Sequence, residues 1–304
     1  MTRDRRQDRE PERPGGEDGF ILPVVVAVLL IVAAASASAV KSLQARSSST
    51  ADRAIGVKLQ GIADGVSRLV TVSLVAQYAR RMPGFGLPEN GTPLACPMSQ
   101  GVTVALSVQD QAGLIDINAS PRPFMEDAFR VLGVPDSEAL ALAAEIVDAR
   151  DENEEPEPNG AEAPQYKARG LPFGPRNAPF DTVEEIGTLP SMTEATATRL
   201  RRFLTVYNSG GALDPTVTPG NVFAGNVLSQ NLHRRAATSP HQAFAVSVTA
   251  FGPRGARAGR SAILTIGATG TGTGLVAWRL ATDLSPTAAS HPVCNAIVAA
   301  LDQP

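Results

Sequence analysis

Phe20 to Val40 reads FILPVVVAVLLIVAAASASAV, 21 residues without one charged side chain. An α-helix rises about 1.5 Å per residue, so this run spans the roughly 30 Å hydrocarbon core of a bilayer. The chain therefore meets a membrane. The preceding residues 1–19, MTRDRRQDREPERPGGEDG, hold five Arg and six acids and no apolar run, so they are expected to form no folded element. Five Arg stand before the apolar segment, against Lys41 and Arg46 just after it. That bias keeps the N-terminus cytoplasmic and sends the rest of the chain across. Two plain readings of the segment are a secretory signal peptide, with Ala37-Ser38-Ala39 as an A-x-A cleavage site, and a single-span anchor.

From Lys41 to Arg81 there is no Pro, and Ile55, Leu59, Ile62, Val66, Leu69 and Leu74 recur close to helical spacing. One helix is predicted from Phe20 to about Met82, stopped by Pro83-Gly84, with a loop over Pro88 to Pro97. Gly101 to Asp110 alternates Val102, Val104, Leu106 and Val108 as a one-faced strand does. A second short strand ending at Asn118 is predicted to fold back on it as a hairpin turning at Gln111 to Gly113. Residues 119–207 change to helical texture. Phe129 and Leu132 precede a Gly-Val-Pro-Asp turn in which Asp136 is placed to cap the next helix, with Leu140, Leu142, Ala143 and Ile146. Val183, Ile186 and Leu189 then precede a Pro-Ser-Met-Thr turn and Leu200, Phe203 and Leu204. Each half reads as a helix-hairpin-helix unit. Strands return in AFAVSVTAF, RSAILTIGA and GLVAWRLA after Gln242. The predicted class is α+β, an antiparallel sheet behind a long N-terminal helix, interrupted by an inserted all-α domain of helix-hairpin-helix (SAM-like) type.

Composition excludes several functions. The 304 residues carry 27 basic and 30 acidic side chains, a formal charge of -3, with no basic excess to neutralise a phosphate backbone. Arg199, Arg201 and Arg202 are the best basic cluster, and the LPSMTE turn beside them lacks the Gly pair that presents N–H groups to DNA. Two cysteines, Cys96 and Cys294, rule out a Cys-rich metal fold and are expected to be bridged to each other, since an oxidising compartment beyond the membrane lets a disulfide persist. The Gly267 to Gly274 run lacks the Lys and following helix of a phosphate loop and reads as a hairpin turn. No G-x-S-x-G, H-E-x-x-H or C-x-x-C occurs, and no catalytic constellation is found.

Gly19 followed at once by Phe20 and an uninterrupted apolar helix resembles the processing site of type IV prepilins and pseudopilins, where a dedicated prepilin peptidase cuts after Gly and methylates the new N-terminal Phe. In those families the fifth mature residue is normally Glu; here it is Val24. Pro23, the fourth, is tolerated because the first N–H groups of a helix have no intrahelical acceptor. The D-x-A-G-x-I-D-x-N pattern of Asp110, Ala112, Gly113, Ile115, Asp116 and Asn118, and the interruption of strands by helices, are similar to the type II secretion system protein K (general secretion pathway protein K) family, minor pseudopilins that lack the Glu.

The resemblance implies a leader over 1–19, a transmembrane helix over 20–45, a periplasmic helix and first strands over 46–118, the α insertion over 119–207, and closing strands over 208–304. It implies a non-enzymatic subunit of the inner membrane, single-pass, with its bulk in the periplasm, meeting I-like and J-like minor pseudopilins at the tip of a pseudopilus and initiating its assembly for export across the outer membrane. Calcium is the implied cofactor. The family's acidic stretch lands on Asp148, Asp151, Asn153, Gly160, Ala161, Glu162 and Tyr166, with Ala149 in place of a Trp and Asn153 in place of an Asp. Asp148, Asp151, Asn153 and Glu162 are the expected ligands, oxygen donors of the kind calcium takes; a solvated acidic loop is the alternative. Rival functions are a DNA-uptake protein gripping DNA with the helix-hairpin-helix units, a membrane-anchored hydrolase, and a single-span anchored protein of other role.

Overall fold

The computed structural model describes residues 21–223, 230–267, 272–282, 284–287 and 289–301. Gly19 and Phe20, the expected processing junction, lie outside the described residues, as do residues 268–271 of the glycine run. Helix α1 runs Ile21–Arg80. Its N-terminal part, to Ala54, forms one unit and its part from Ile55 belongs to a second. In the first unit Leu22–Lys41 has a mean hydropathy of 2.5 and buries none of its side chains among the described residues. A helix apolar all round suits lipid rather than water.

In the second unit the same helix becomes one-faced. Leu59, Ala63, Val66, Val70 and Leu74 are buried, at spacings of four, three, four and four. Ile55, Ile62 and Leu69, expected in the stripe, lie partly buried at its margins. Arg81 takes a left-handed φ of 54°, and Met82 N–H donates to the Ala76 carbonyl at 2.9 Å, so the helix ends just before Pro83.

The stripe covers a five-stranded antiparallel sheet in the order β1 (Leu94–Pro97), β2 (Thr103–Asp110), β5 (Ala243–Phe251), β6 (Arg257–Thr265), β7 (Gly274–Leu280). Strand β2 alternates as its sequence predicts, with Val104, Leu106 and Val108 buried. Strand β1 corrects the expectation of a loop over Pro88 to Pro97. Four residues ending in Pro give little periodicity, and pairing with β2, Leu94 opposite Leu106, supplies the strand. Helix α7 (Val293–Leu301) closes the core with Val293 and Ile297, and Cys294 on it is bonded to Cys96 on β1.

The predicted hairpin after β2 does not form. Asp110 Oδ1 accepts from Ala112 N–H at 2.9 Å and turns the chain out of the sheet. The next strand, β3 (Ile115–Asp116), pairs in parallel with β4 (Leu204–Thr205). Between them lie α2 (Arg122–Val131), α3 (Asp136–Arg150), α4 (Ala163–Ala168) and α5 (Glu194–Leu200), so the region between β2 and β5 is helical but not purely so. Its core holds Phe124, Phe129, Leu142, Ile146, Ile186 and Leu200. Leu213, Phe223 and Leu232 belong to the same core, the last on α6 (Gln230–Arg235). The helical part thus extends past Tyr207, and the main sheet resumes only at Ala243. Two local expectations also change. Val183–Thr188 is a short 3-10 stretch rather than an α-helix. Asp136 does not cap α3: Pro135 holds the N-cap with ψ 147°, and the Asp136 carboxylate pairs with Arg130.

Candidate functional site

Helix α3 delivers Asp148 on its last turn, and the acidic loop wraps over it. Asp148 is fully buried; its Oδ1 accepts from Glu157 N–H at 3.0 Å and its Oδ2 from Ala161 N–H at 2.7 Å. The loop passes that close because residue 160 has no side chain. A Cβ there would stand 2.0 Å from Asp148 Oδ2. The chain then brings in Glu162, 2% exposed, at the start of α4, where Gln165 Oε1 accepts its backbone N–H at 3.0 Å. Glu162 Oε1 is buried and has no hydrogen-bond partner among the described residues.

Electrostatics matches this crowding. Burial pushes the Asp148 carboxyl above the ordinary range, and Asp151 and Glu157 push the same way against the two N–H donors. Glu162 is raised by burial and then by Asp148, Asp151 and Glu154. Asp148 and Glu162 are therefore both held toward their neutral forms, by burial first and by the neighbouring carboxylates second. Asn153 is arranged differently: it is exposed, and its side-chain carbonyl accepts from Glu155 N–H at 2.7 Å. Its backbone carbonyl accepts from Asn177 Nδ2 at 3.0 Å, and Asn177 Oδ1 is itself buried without a partner. Asn177, 24 residues away at a left-handed φ of 50°, had no periodic or motif signal to mark it. An orphaned carboxylate oxygen beside a buried Asp is the kind of donor a hard cation such as calcium takes, but among the described residues the carboxylates of Asp148, Asp151 and Glu162 are not drawn within 4.8 Å of one another.

The D-x-A-G-x-I-D-x-N residues act as a junction. Gly113 passes beneath Val217, whose carbonyl would stand 2.3 Å from a Cβ. Asp116 Oδ1 accepts from the N–H groups of Asn118 and Ala119, and Oδ2 accepts from Asn208 N–H at 2.7 Å. Asn118 exchanges two hydrogen bonds with the backbone of Phe180. The motif ties both ends of the helical part to its middle.

The helix-hairpin-helix turn is engaged internally. Ser191 N–H donates to Glu145 Oε2 at 3.0 Å and Ser191 Oγ to Oε1 at 2.7 Å, so a buried carboxylate takes up these donors of the turn. Of the basic cluster, Arg199 donates to the Gly133 carbonyl, Arg201 pairs with Glu194 at 3.3 Å, and Arg202 lies 4.6 Å over the Phe203 ring.

A second polar cluster sits at the mouth of the helical part. Glu89, Asp110 and His241 offer one ligand atom each, all within 4.8 Å of one another. Neither Glu89 nor His241 falls in a motif: Glu89 reaches Asp110 through the bridge of Asn90 to Gln109 and the bond from Asp110 N–H to the Glu89 carbonyl, and His241 through the pairing of β2 and β5.

Residues 105–209 match the family model described as type II secretion system (T2SS), protein K. The match begins in β2 and ends past β4, so it holds the junction motif and the acidic loop. A chain of the crystal structure of the GspK-GspI-GspJ complex from the enterotoxigenic Escherichia coli type 2 secretion system shares the fold: the TM-score is 0.54 at 13% identity, covering 78% of this chain and all of the other. No curated protein matches the sequence. The resemblance to the K family stands on both the matched sequence and the shared fold.

Proposed function

We propose, from that resemblance to the type II secretion protein K family, that this chain is a minor pseudopilin working as a structural subunit rather than an enzyme. The observation that carries the reading is the family match over residues 105–209, set between the strands of a sheet that α1 covers. The apolar Leu22–Lys41 segment anchors it in the inner membrane, with the N-terminus cytoplasmic and the bulk periplasmic. Prepilin peptidase removes the leader between Gly19 and Phe20, and the new N-terminus is methylated. I-like and J-like minor pseudopilins are its partners, as the composition of the similar complex suggests. Val24 in place of a Glu suits a subunit at the tip, with no preceding neighbour to meet, from which assembly begins.

Calcium, bound by Asp148, Asp151, Asn153 and Glu162, would neutralise the acidic loop and fasten it to α3. Its contribution is charge compensation. The chain's own residues do the positioning: Gly160 permits the approach, and Glu157 and Ala161 N–H groups orient Asp148. The DNA-uptake alternative is disfavoured because Glu145 occupies the hairpin turn.

Mass spectrometry of the mature N-terminus and co-purification with I-like and J-like partners test the proposal. A chain beginning at methylated Phe20 that forms a defined complex with both partners is expected. A first residue at Val40, or homo-oligomers only, overturns it. For calcium, the melting temperature should rise with the ion and fall with chelator; identical melting curves would leave a solvated loop.

A further inference from the structure

Where the chain leaves the sheet for its helical part and where it returns, three metal-ligating side chains converge. Asp110 ends β2 and is fully buried; His241 stands two residues before β5; Glu89 lies in the segment between α1 and β1. His241 Nδ1 is 2.8 Å from Asp110 Oδ2 and 3.5 Å from Glu89 Oε2. Around them is a supporting shell. Tyr78 Oη donates to Glu89 Oε1 at 2.6 Å, and its ring stacks on the imidazole with centroids 4.2 Å apart and planes 15° from parallel. Ser239 Oγ donates to Asp110 Oδ2 at 2.6 Å, and Ala112 N–H holds Oδ1. Asp214 takes the Ser239 N–H at 2.7 Å, which sets the turn leading to His241.

The backbone supplies a second, independent observation. His241 has φ 52°, a left-handed conformation that a residue with a Cβ adopts at a cost of about 1 kcal/mol or more. That conformation is kept while the His241 N–H donates to Ser239 Oγ, and it aims Nδ1 at the two carboxylates. Strain held in place by neighbouring bonds gathers at ligand clamps.

We propose that Glu89, Asp110 and His241 form a divalent metal site of zinc type that fastens the segment after α1 to both strands bracketing the helical part. Tetrahedral zinc with bonds of 2.0–2.1 Å needs ligand atoms roughly 3.3 Å apart. The His241–Glu89 spacing already meets that, and the His241–Asp110 spacing needs an opening of about 0.5 Å. One nitrogen and two carboxylate oxygens suit zinc, whereas calcium takes oxygen alone in greater number. The site therefore differs in ion and place from the acidic loop, and does not rest on the secretion reading.

The test uses full-length protein in detergent, stripped of metal, and titrated with zinc against a chromophoric chelator, with cobalt as a visible-band probe. Two variants keep the local fold: His241→Asn, because Asn tolerates left-handed φ, and Glu89→Gln, whose amide oxygen still accepts from Tyr78. One equivalent of zinc is expected, with binding weakened at least tenfold in each variant, unchanged in His291→Gln, and insensitive to millimolar calcium. Circular dichroism should show both variants folded. No zinc uptake by the wild-type chain, uptake that both variants retain, or displacement of zinc by calcium would each overturn the assignment.

Discussion

Gly160→Ala tests whether the acidic loop is built around a buried carboxylate. The added methyl carbon would lie 2.0 Å from Asp148 Oδ2, 2.9 Å from its Cγ and 3.0 Å from the Glu157 carbonyl. Ordinary contact needs about 3.4 Å, so the carboxylate must retreat by more than 1 Å or the loop must lift. Either movement breaks the 2.7 Å bond from Ala161 and the 3.0 Å bond from Glu157. Hydrogen bonds to a charged group contribute about 1.5–3 kcal/mol each, and partial relaxation returns some of that. The expected destabilisation is about 2–4 kcal/mol. For a domain of this size it lowers the melting temperature by roughly 5–15 °C. Thermal unfolding followed by circular dichroism in chelator is the assay, with Gly210→Ala as the control because nothing lies within 4 Å of its added carbon. The control should stay within about 0.5 kcal/mol of wild type. If Gly160→Ala melts within about 2 °C of the control, Asp148 is not held as described.

Three further outcomes are expected. Glu89, Asp116, Glu145, Asp148 and Glu162 are all raised, burial being the leading cause in each, so the folded state holds their protons more tightly than the unfolded chain. In chelator, stability should therefore increase as pH falls from 7 through their raised folded values, and decline only below about 4, where groups such as Asp64, held low by its bonds to Arg260, become protonated. Urea midpoints at neutral and mildly acid pH check this, and a steady loss of stability on acidification from 7 would contradict it. Replacing Cys96 and Cys294 together by Ala opens a bridge with 198 residues of separation, for which chain entropy sets a ceiling of about 5 kcal/mol, read from denaturant midpoints. Gly61→Ala, in α1 with nothing within 4 Å, should stabilise the isolated chain by about 0.5–1 kcal/mol in the same assay.

What could be read from the sequence followed the range of the interactions responsible. The apolar run of Leu22–Lys41 and the alternation of β2 are local patterns, and both are present in the structure. The α1 stripe was legible in outline only. Ala63 and Val70 carry its centre with Leu59, Val66 and Leu74, yet Ala is too small to mark a face by hydropathy. Strand β1 and the parallel pair β3–β4 escaped because two to four residues make no period; each is created by its partner.

The two polar sites divide the same way. The acidic loop was visible because its charges are adjacent in sequence, and folding sorts them: Asp148 and Glu162 go inside, while Glu152, Glu154 and Glu155 stay at the surface. Asp110 was visible as a motif residue, but its partners were not, because Glu89 and His241 are separated by 152 positions that contain the whole helical part. Strand β2 brings them together from its two sides: β5 lies beside it with Asp110 opposite Phe244, and the segment before β1 bridges to it at Asn90 and Gln109. A side chain in that arrangement is identified by the register of a strand pair and by an uncommon φ at His241, and neither is written in any short window of residues. The insertion thus does more than interrupt the sheet. By making its exit and return strands adjacent, it fixes a buried carboxylate and an imidazole at one point, which is why fastening that point would hold the helical part to the sheet.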